Sequence, residues 1–117
     1  MKFDKKKVGD VFVIRIKKKK LTSHEAPEMK TAFLELVMGE GEKFLLNMKN
    51  VEQMDSTGLG VFLFGIRQAD RYEKDMHFCE IQPKVQFLIR IAHLDDVIKS
   101  YKTEKDGLQS FREERTD

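Results

Sequence analysis

The sequence is poor in cysteine and proline and contains no tryptophan. A single cysteine, Cys79, excludes an internal disulfide or a cysteine-rich metal site within these 117 residues. Its apolar neighbours favour a buried and unreactive thiol. Two prolines, with 40% apolar and 36% charged residues, indicate a folded globular chain rather than a disordered one.

Long apolar runs and a signal-peptide pattern are also missing. The sequence therefore predicts a cytoplasmic protein without a membrane partner. A length of 117 residues predicts one domain spanning residues 1–117. Residues 112–117 are expected to fray, because they carry little that could anchor them.

Neither sign of charge dominates, since the sequence has 22 basic and 20 acidic residues. The lysine runs at residues 5–7 and 17–20 could suggest a nucleic acid or an acidic membrane. Both runs flank the apolar stretch 11–16, and aromatic residues are not interleaved with them. Solvated strand ends are the better interpretation, and no nucleic-acid partner is predicted.

Short apolar runs alternate with stretches of helical periodicity after a first hairpin that turns at Gly9 and Asp10. This pattern predicts an α/β fold, with a four- to five-stranded mixed sheet and about four helices. Strands are expected at residues 2–7, 11–16, 43–48, 76–81 and 97–101. Helices are expected from Pro27 to Gly39, over residues 57–72, from Pro83, and from Thr103. Their expected buried residues are Ala26, Met29, Phe33, Leu36 and Val37, then Leu59, Phe62, Leu63 and Ile66, then Val85, Leu88, Ile89 and Ala92, and finally Leu108 and Phe111.

The most informative stretch joins the third strand to the second helix. It ends in Asp55, Ser56 and Thr57, where a helix start needs side-chain oxygens for its unpaired N–H groups. A serine hydroxyl is thus placed at the positive end of a helix, on the side of an α/β sheet where sites tend to lie.

Three enzyme motifs can be tested against this stretch. A nucleophile elbow needs glycine two residues before the serine, where this chain has Met54. A dinucleotide loop needs a third glycine three residues after Gly60, but the next one is Gly65. A phosphate loop needs a lysine after the glycine, and none is present.

The scattered His24, His77 and His93 lack metal-ligand spacing and are expected at the surface or its boundary. Asp95 and Asp96 suit a solvated turn better than an acid–base pair. The sequence therefore predicts no enzyme, no metal and no cofactor.

Gly58 and Gly60 fall in the first turns of the helix, where alanine would be more stable by about 1 kcal/mol each. Small residues there allow another molecule to approach the backbone, so Ser56 is interpreted as both a cap and a contact. Val61 and Phe64 lie off the core stripe. Either a neighbouring helix covers them or they contribute to a partner contact.

The run Met54-Asp55-Ser56-Thr57-Gly58-Leu59-Gly60 resembles the signature of the anti-anti-sigma factor (STAS) domain. Residues 21–28 resemble the start of the family's first helix, and residues 98–108 resemble its last strand and closing helix. The resemblance covers nearly the whole chain. Asn47 and Thr22 depart from it, because many members carry an acid at each of these positions.

The resemblance implies an anti-sigma factor antagonist. In the family, the serine after the aspartate is phosphorylated by an anti-sigma factor with serine kinase activity, and a phosphatase resets the cycle. Ser56 is then the phosphoacceptor, with Thr57 as the second candidate. The predicted partner-binding residues are Thr22, Ser23, His24, Asp55, Ser56, Thr57, Gly58, Leu59 and Val61.

The same domain also serves as a scaffold or accessory subunit in sensory and transport assemblies. A non-switching scaffold therefore stays open as the alternative function. The sequence does not decide the oligomeric state, the sigma factor, the kinase or the signal.

Overall fold

The computed structural model describes residues 3–113, in which a short hairpin is followed by alternating strands and helices. The strands are β1 (Phe3–Val8), β2 (Val11–Ile16), β3 (Lys20–Leu21), β4 (Lys43–Asn47), β5 (Gln53–Met54), β6 (Asp75–Cys79) and β7 (Ser100–Tyr101). The helices are α1 (Ala26–Met38), α2 (Ser56–Arg71), α3 (Pro83–Ile91) and α4 (Glu104–Glu113). No described helix combines the length and the hydrophobicity needed to cross a bilayer.

The main sheet has five strands in the order β1-β2-β4-β6-β7. Strand β1 pairs antiparallel with β2, and the remaining pairs are parallel. The predicted mixed α/β sheet with four helices is confirmed. Because β2, β4 and β6 run the same way, their carboxyl ends meet at one edge of the sheet, where the chain turns toward its helices.

The two faces of the sheet are covered unequally. Side chains of α1, α2 and α3 share the larger core with one face of the sheet. The opposite face carries a small cluster under α4, made of Val11, Val13, Leu45, Cys79 and Phe111. Alternation along each strand produces this division, since successive side chains point to opposite faces.

Helix α1 matches its predicted stripe, because the five residues expected to be buried are its buried residues. Pro27 lies in its first turn and Gly39 caps its end. In α3 the pattern holds only in part. Val85 and Ile89 are buried, but Ala92 is exposed, because α3 ends at Ile91 and His93, with φ of 58°, turns the chain just after Ala92.

Helix α4 begins as predicted, with the Asp106 N–H donating to Thr103 Oγ1 at 3.0 Å. It continues through Arg112 and Glu113, which the sequence predicted to fray. Helical continuation is favoured there because Phe111, one residue earlier, is buried against the sheet. The rest of the predicted tail, residues 114–117, lies outside the described residues.

His77 was expected at the surface or its boundary, and this expectation is wrong. It is 1% exposed on β6, with Nδ1 2.8 Å from Ser110 Oγ and its ring stacked on Phe111 at 4.0 Å between centroids. Both partners lie on α4, 33 residues or more along the chain, so local sequence did not reveal them. Cys79 is buried as predicted, and burial raises the pKa of its thiol to about 12.

A second, two-stranded sheet was not predicted. Strand β3 pairs parallel with β5, placing Lys20 beside Gln53 and Leu21 beside Met54. Each strand is only two residues long, too short to show a periodicity. The small sheet joins the segment before α1 to the segment before α2. The final strand β7 is shorter than the predicted 97–101.

Candidate functional site

The candidate site lies where the connections leading into α1 and α2 meet. Beyond the β3–β5 pair, the Ser23 N–H donates to Asp55 Oδ2 at 3.1 Å. Residues 22–24 and the loop 53–60 therefore lie side by side. Two strand-to-helix connections, 32 residues apart along the chain, form one continuous piece of structure.

Asp55 fixes this arrangement with both carboxylate oxygens. Its backbone is extended, and Oδ1 accepts the Gly58 N–H at 2.9 Å, which caps α2. The N–H of Gly58, followed by those of Ser23 and Thr57, lowers the pKa of Asp55, although partial burial opposes the shift. Asp55 is thus ionised at neutral pH, and it positions the turn around Ser23 against α2.

Ser56 is the first residue of α2 and is exposed, as is Thr57. The Ser56 hydroxyl has no hydrogen-bond partner among residues 3–113. It stands at the start of a helix of 16 residues, whose first N–H groups and dipole favour a negative charge. The hydroxyl is accessible to another molecule, and an anion attached to it would be favoured by the helix dipole and opposed by the neighbouring Asp55 carboxylate.

The turn before α1 is held by its own hydrogen bonds. Thr22 donates from its N–H (2.8 Å) and its Oγ1 (2.7 Å) to Glu25 Oε1, and these bonds lower the pKa of Glu25. The Thr22 carbonyl accepts the Ala26 N–H at 3.0 Å. Glu25 occupies the N-cap position of α1 and makes no side-chain cap, so this helix is not capped by Thr22, Ser23 or His24. Ser23 and His24 are left exposed.

The two departures from the family pattern have a structural reason. An aspartate at position 22 would place its carboxylate against Glu25, whereas threonine donates to it. Asn47 accepts the Lys49 N–H at 3.0 Å and donates to Glu104 Oε1 at 3.1 Å. An acid at 47 would oppose Glu104, so the amide fits a site that joins β4 to α4.

Gly58 does not serve the purpose predicted for it. A Cβ on Gly58 would lie 2.0 Å from the Leu21 carbonyl oxygen, so the close approach is made by this chain's own β3. A Cβ on Gly60 would meet nothing within 4 Å. The interpretation that another molecule approaches the backbone therefore applies to Gly60 alone.

Leu59 and Val61 are also not surface residues. They are 4% and 1% exposed and belong to the main core, so their prediction as partner contacts is corrected. Leu59 follows the core stripe of α2. Val61 is covered as well, because α1 packs against α2 and widens the buried face. Phe64 is half-buried, with Lys30 Nζ 5.6 Å from its ring centroid.

The residues that remain accessible form what is called here the Ser56 surface. Ser23, His24, Ser56, Thr57 and Gly60 are exposed, and Thr22 and Asp55 are half-buried beside them. A shallow cavity of about 300 Å³ adjoins this surface and adds Glu52, Gln53, Met54 and Lys84 to it, with the buried Val85 beneath them. Sequence reasoning missed Lys84, because only the fold brings the start of α3 next to the α2 cap.

This arrangement suits recognition and modification better than catalysis. Both Asp55 oxygens are taken by backbone N–H groups, so the carboxylate is not aimed at the Ser56 hydroxyl. Within residues 3–113, histidine, cysteine and carboxylate side chains form no cluster of three that could hold a metal ion.

Comparison with known proteins gives consistent similarities. The family model of the STAS domain matches residues 2–107. An anti-sigma F factor antagonist from Paenibacillus polymyxa is 31% identical over 67 residues, which are 57% of each chain. An anti-sigma-B factor antagonist from Staphylococcus aureus (strain NCTC 8325 / PS 47) is 25% identical over 78 residues, 67% of this chain and 72% of that one. The crystal structure of a candidate anti-sigma factor antagonist from Thermotoga maritima superposes with a TM-score of 0.82 at 25% identity, covering 94% of both chains.

Proposed function

The chain belongs to the STAS domain family, and from that premise we propose that it is an anti-sigma factor antagonist switched by phosphorylation of Ser56. Unphosphorylated, it binds an anti-sigma factor with serine kinase activity through the Ser56 surface, and the sigma factor is released. A phosphoserine phosphatase restores the binding form. The relatives named as antagonists support the general role. The exposed hydroxyl at the first residue of α2 is the observation that carries the switch.

In the proposed step, Ser56 Oγ attacks the γ-phosphorus of ATP bound to the partner. The bond from the γ-phosphorus to the bridging oxygen breaks and ADP leaves. The hydroxyl proton passes to a base of the partner, because both Asp55 oxygens already accept backbone N–H groups. This chain contributes the nucleophile and its position, and the partner contributes the catalytic groups. We place the cycle in the cytoplasm, where ATP is available.

Phosphorylation adds a charge of roughly −1.5 to −2 and three acceptor oxygens at Ser56. The α2 dipole favours an anion there by about 0.3–1 kcal/mol, while the adjacent ionised Asp55 opposes it. The fold is therefore expected to persist with little change in stability. The partner contact changes more, since a dianion enters an interface that was built around a neutral hydroxyl.

The experiment incubates the chain with its anti-sigma factor and ATP and maps the phosphate by mass spectrometry. We expect one phosphate, located on Ser56, in wild type and in the matched control Thr57→Ala. Ser56→Ala should accept none and still bind the partner. Phosphate on Thr57 alone would reassign the acceptor.

The chain purified from its own cells supplies the second arm of the test. Absence of phosphate at every growth stage, together with retained partner binding, would favour the non-switching scaffold or accessory subunit. That result would leave the family membership untouched and remove only the switch.

A further inference from the structure

A groove separates α3 from β7, the edge strand of the main sheet, and shares no residue with the Ser56 surface. Its volume is about 540 Å³, within the range of sites that hold ligands or peptide side chains. We call it the edge groove and define it by Ile81, Phe87, Arg90, Ser100, Tyr101 and Lys102.

The apolar part of the edge groove extends beyond the cavity. Phe87 is 58% exposed at its rim, and Ile91, four residues on along α3, is also 58% exposed. Residues four apart share one side of a helix, so the two side chains form a single apolar strip. Exposed apolar side chains beside a groove are available for contact with another molecule.

The strand side of the groove offers backbone groups. The carbonyls of Lys99 and Tyr101 accept N–H groups of Phe78 (2.8 Å) and Glu80 (3.0 Å), so they point into the sheet. Backbone groups alternate in direction along a strand, which leaves the N–H and C=O of Ser100 directed to the open edge. Such an edge can pair with an added strand.

The edge groove carries positive charge, which favours a negatively charged occupant. Arg90 and Lys102 are exposed, and neither forms an ion pair with a residue in the range 3–113. The residues that line the groove include no carboxylate. Two unpaired cations beside an apolar strip complement a segment that carries both carboxylates and apolar side chains.

We propose that the edge groove binds an acidic peptide segment of a partner protein as a strand added beside β7. The peptide backbone pairs with Ser100, and an apolar side chain fills the space between Phe87 and Tyr101. Its carboxylates meet Arg90 and Lys102. This contact is separate from the Ser56 surface, so it provides a second docking point that phosphorylation leaves in place.

The probe is a displayed library of random heptapeptides selected on the whole chain, followed by synthesis and titration of the most enriched peptide. We expect peptides that combine acidic and apolar residues. Arg90→Glu and Lys102→Glu should each weaken binding at least tenfold, and Phe87→Ala should do the same. The matched controls Lys105→Glu and Tyr72→Ala, which change exposed residues outside the groove, should leave the affinity within twofold.

Backbone pairing needs its own readout. Methylating the one peptide nitrogen that donates to the Ser100 carbonyl should abolish binding, whereas methylating the next nitrogen, which faces away, should not. The amide of Ser100 should also exchange with solvent more slowly in the complex.

Four outcomes would overturn the proposal. They are a library that yields no binder, enriched peptides without acidic residues, binding insensitive to both charge reversals, and self-association of the chain that Arg90→Glu abolishes. The last would show that a second copy occupies the groove. Ser56→Ala should bind the peptide like wild type, so failure here is distinguishable from failure of the phosphorylation switch.

Discussion

Helices α2 and α3 both begin on the side of the molecule where the parallel strands end, but their first turns differ. Helix α2 follows an extended Asp55 whose side chain caps it. Helix α3 follows Gln82, which makes no cap and donates instead to the Lys49 carbonyl at 2.6 Å, and Pro83 fills its first turn. The helix dipole favours a negative charge at the start of α2 and of α3 alike. Only α2 combines a hydroxyl on its first residue with a carboxylate that also holds a second loop.

A helix start is therefore not by itself a site for modification. What distinguishes α2 is that its cap does two tasks: one Asp55 oxygen completes the helix and the other positions Ser23. Gly58 makes this possible, because only glycine lets β3 approach the first turn so closely. In α3 the N-cap side chain, Gln82, contacts the loop at Lys49 but leaves its own helix without a side-chain cap.

The largest effect should come from placing a charge inside the first turns of α2. Leu59→Asp is expected to cost at least about 3 kcal/mol of unfolding free energy, because it buries a carboxylate in the main core. Urea denaturation measures this cost, and Thr57→Asp at an exposed position is the matched control. If Leu59→Asp is as stable as wild type but no longer binds the partner, Leu59 is a partner contact and not a core residue.

The two glycines should respond in opposite directions. Gly58→Ala is expected to destabilise the fold by about 1–3 kcal/mol, since the new methyl group collides with the Leu21 backbone. Gly60→Ala should stabilise it by up to about 1 kcal/mol, because space is free and alanine favours a helix. Thermal melts of both variants test the pair. Equal effects would contradict the packing described for Gly58.

Removing the cap should reveal a dependence on pH. Asp55→Ala is expected to cost about 1 kcal/mol at pH 7. The pKa of Asp55 is lowered in the fold, so its contribution is complete above its ordinary pKa of 3.8 and is lost as the pH falls through the folded value. The difference between wild type and variant should therefore shrink as the pH falls below about 4.

The corresponding change in α3 provides the contrast. Gln82→Ala should cost less than Asp55→Ala and show no such change with pH, because Gln82 has no titratable group and makes no side-chain cap. Denaturation curves of both variants at pH 7 and at pH 3 make the comparison. A difference for Asp55→Ala that stays constant with pH would mean that the charge on Asp55 does not contribute to the cap.

Much of this architecture followed from local patterns. The stripe of α1 and the start of α2 were predictable, because helical spacing and capping chemistry act over a few residues. Contacts across the fold were not. The burial of His77 depends on α4, and the closeness of Gly58 to Leu21 depends on a pair of two-residue strands.

In the candidate site, too, the local features were predictable from the sequence and the contacts across the fold were not. The motif identified Asp55, Ser56 and the neighbouring turn. It could not show that the space beside Gly60 is open to solvent, whereas the space beside Gly58 is occupied by the chain's own backbone. It also could not show that Val61 is covered, since that depends on how α1 packs against α2.

The phosphorylation switch is tested most directly by titrating the anti-sigma factor with the unphosphorylated chain and with the chain fully phosphorylated on Ser56. We expect phosphorylation to weaken binding at least tenfold, about 1.4 kcal/mol, while the melting temperature stays nearly unchanged. Ser56→Ala, treated with the same kinase and ATP, should bind like the unphosphorylated form. Equal affinities for the two forms of the wild-type chain would contradict the switch.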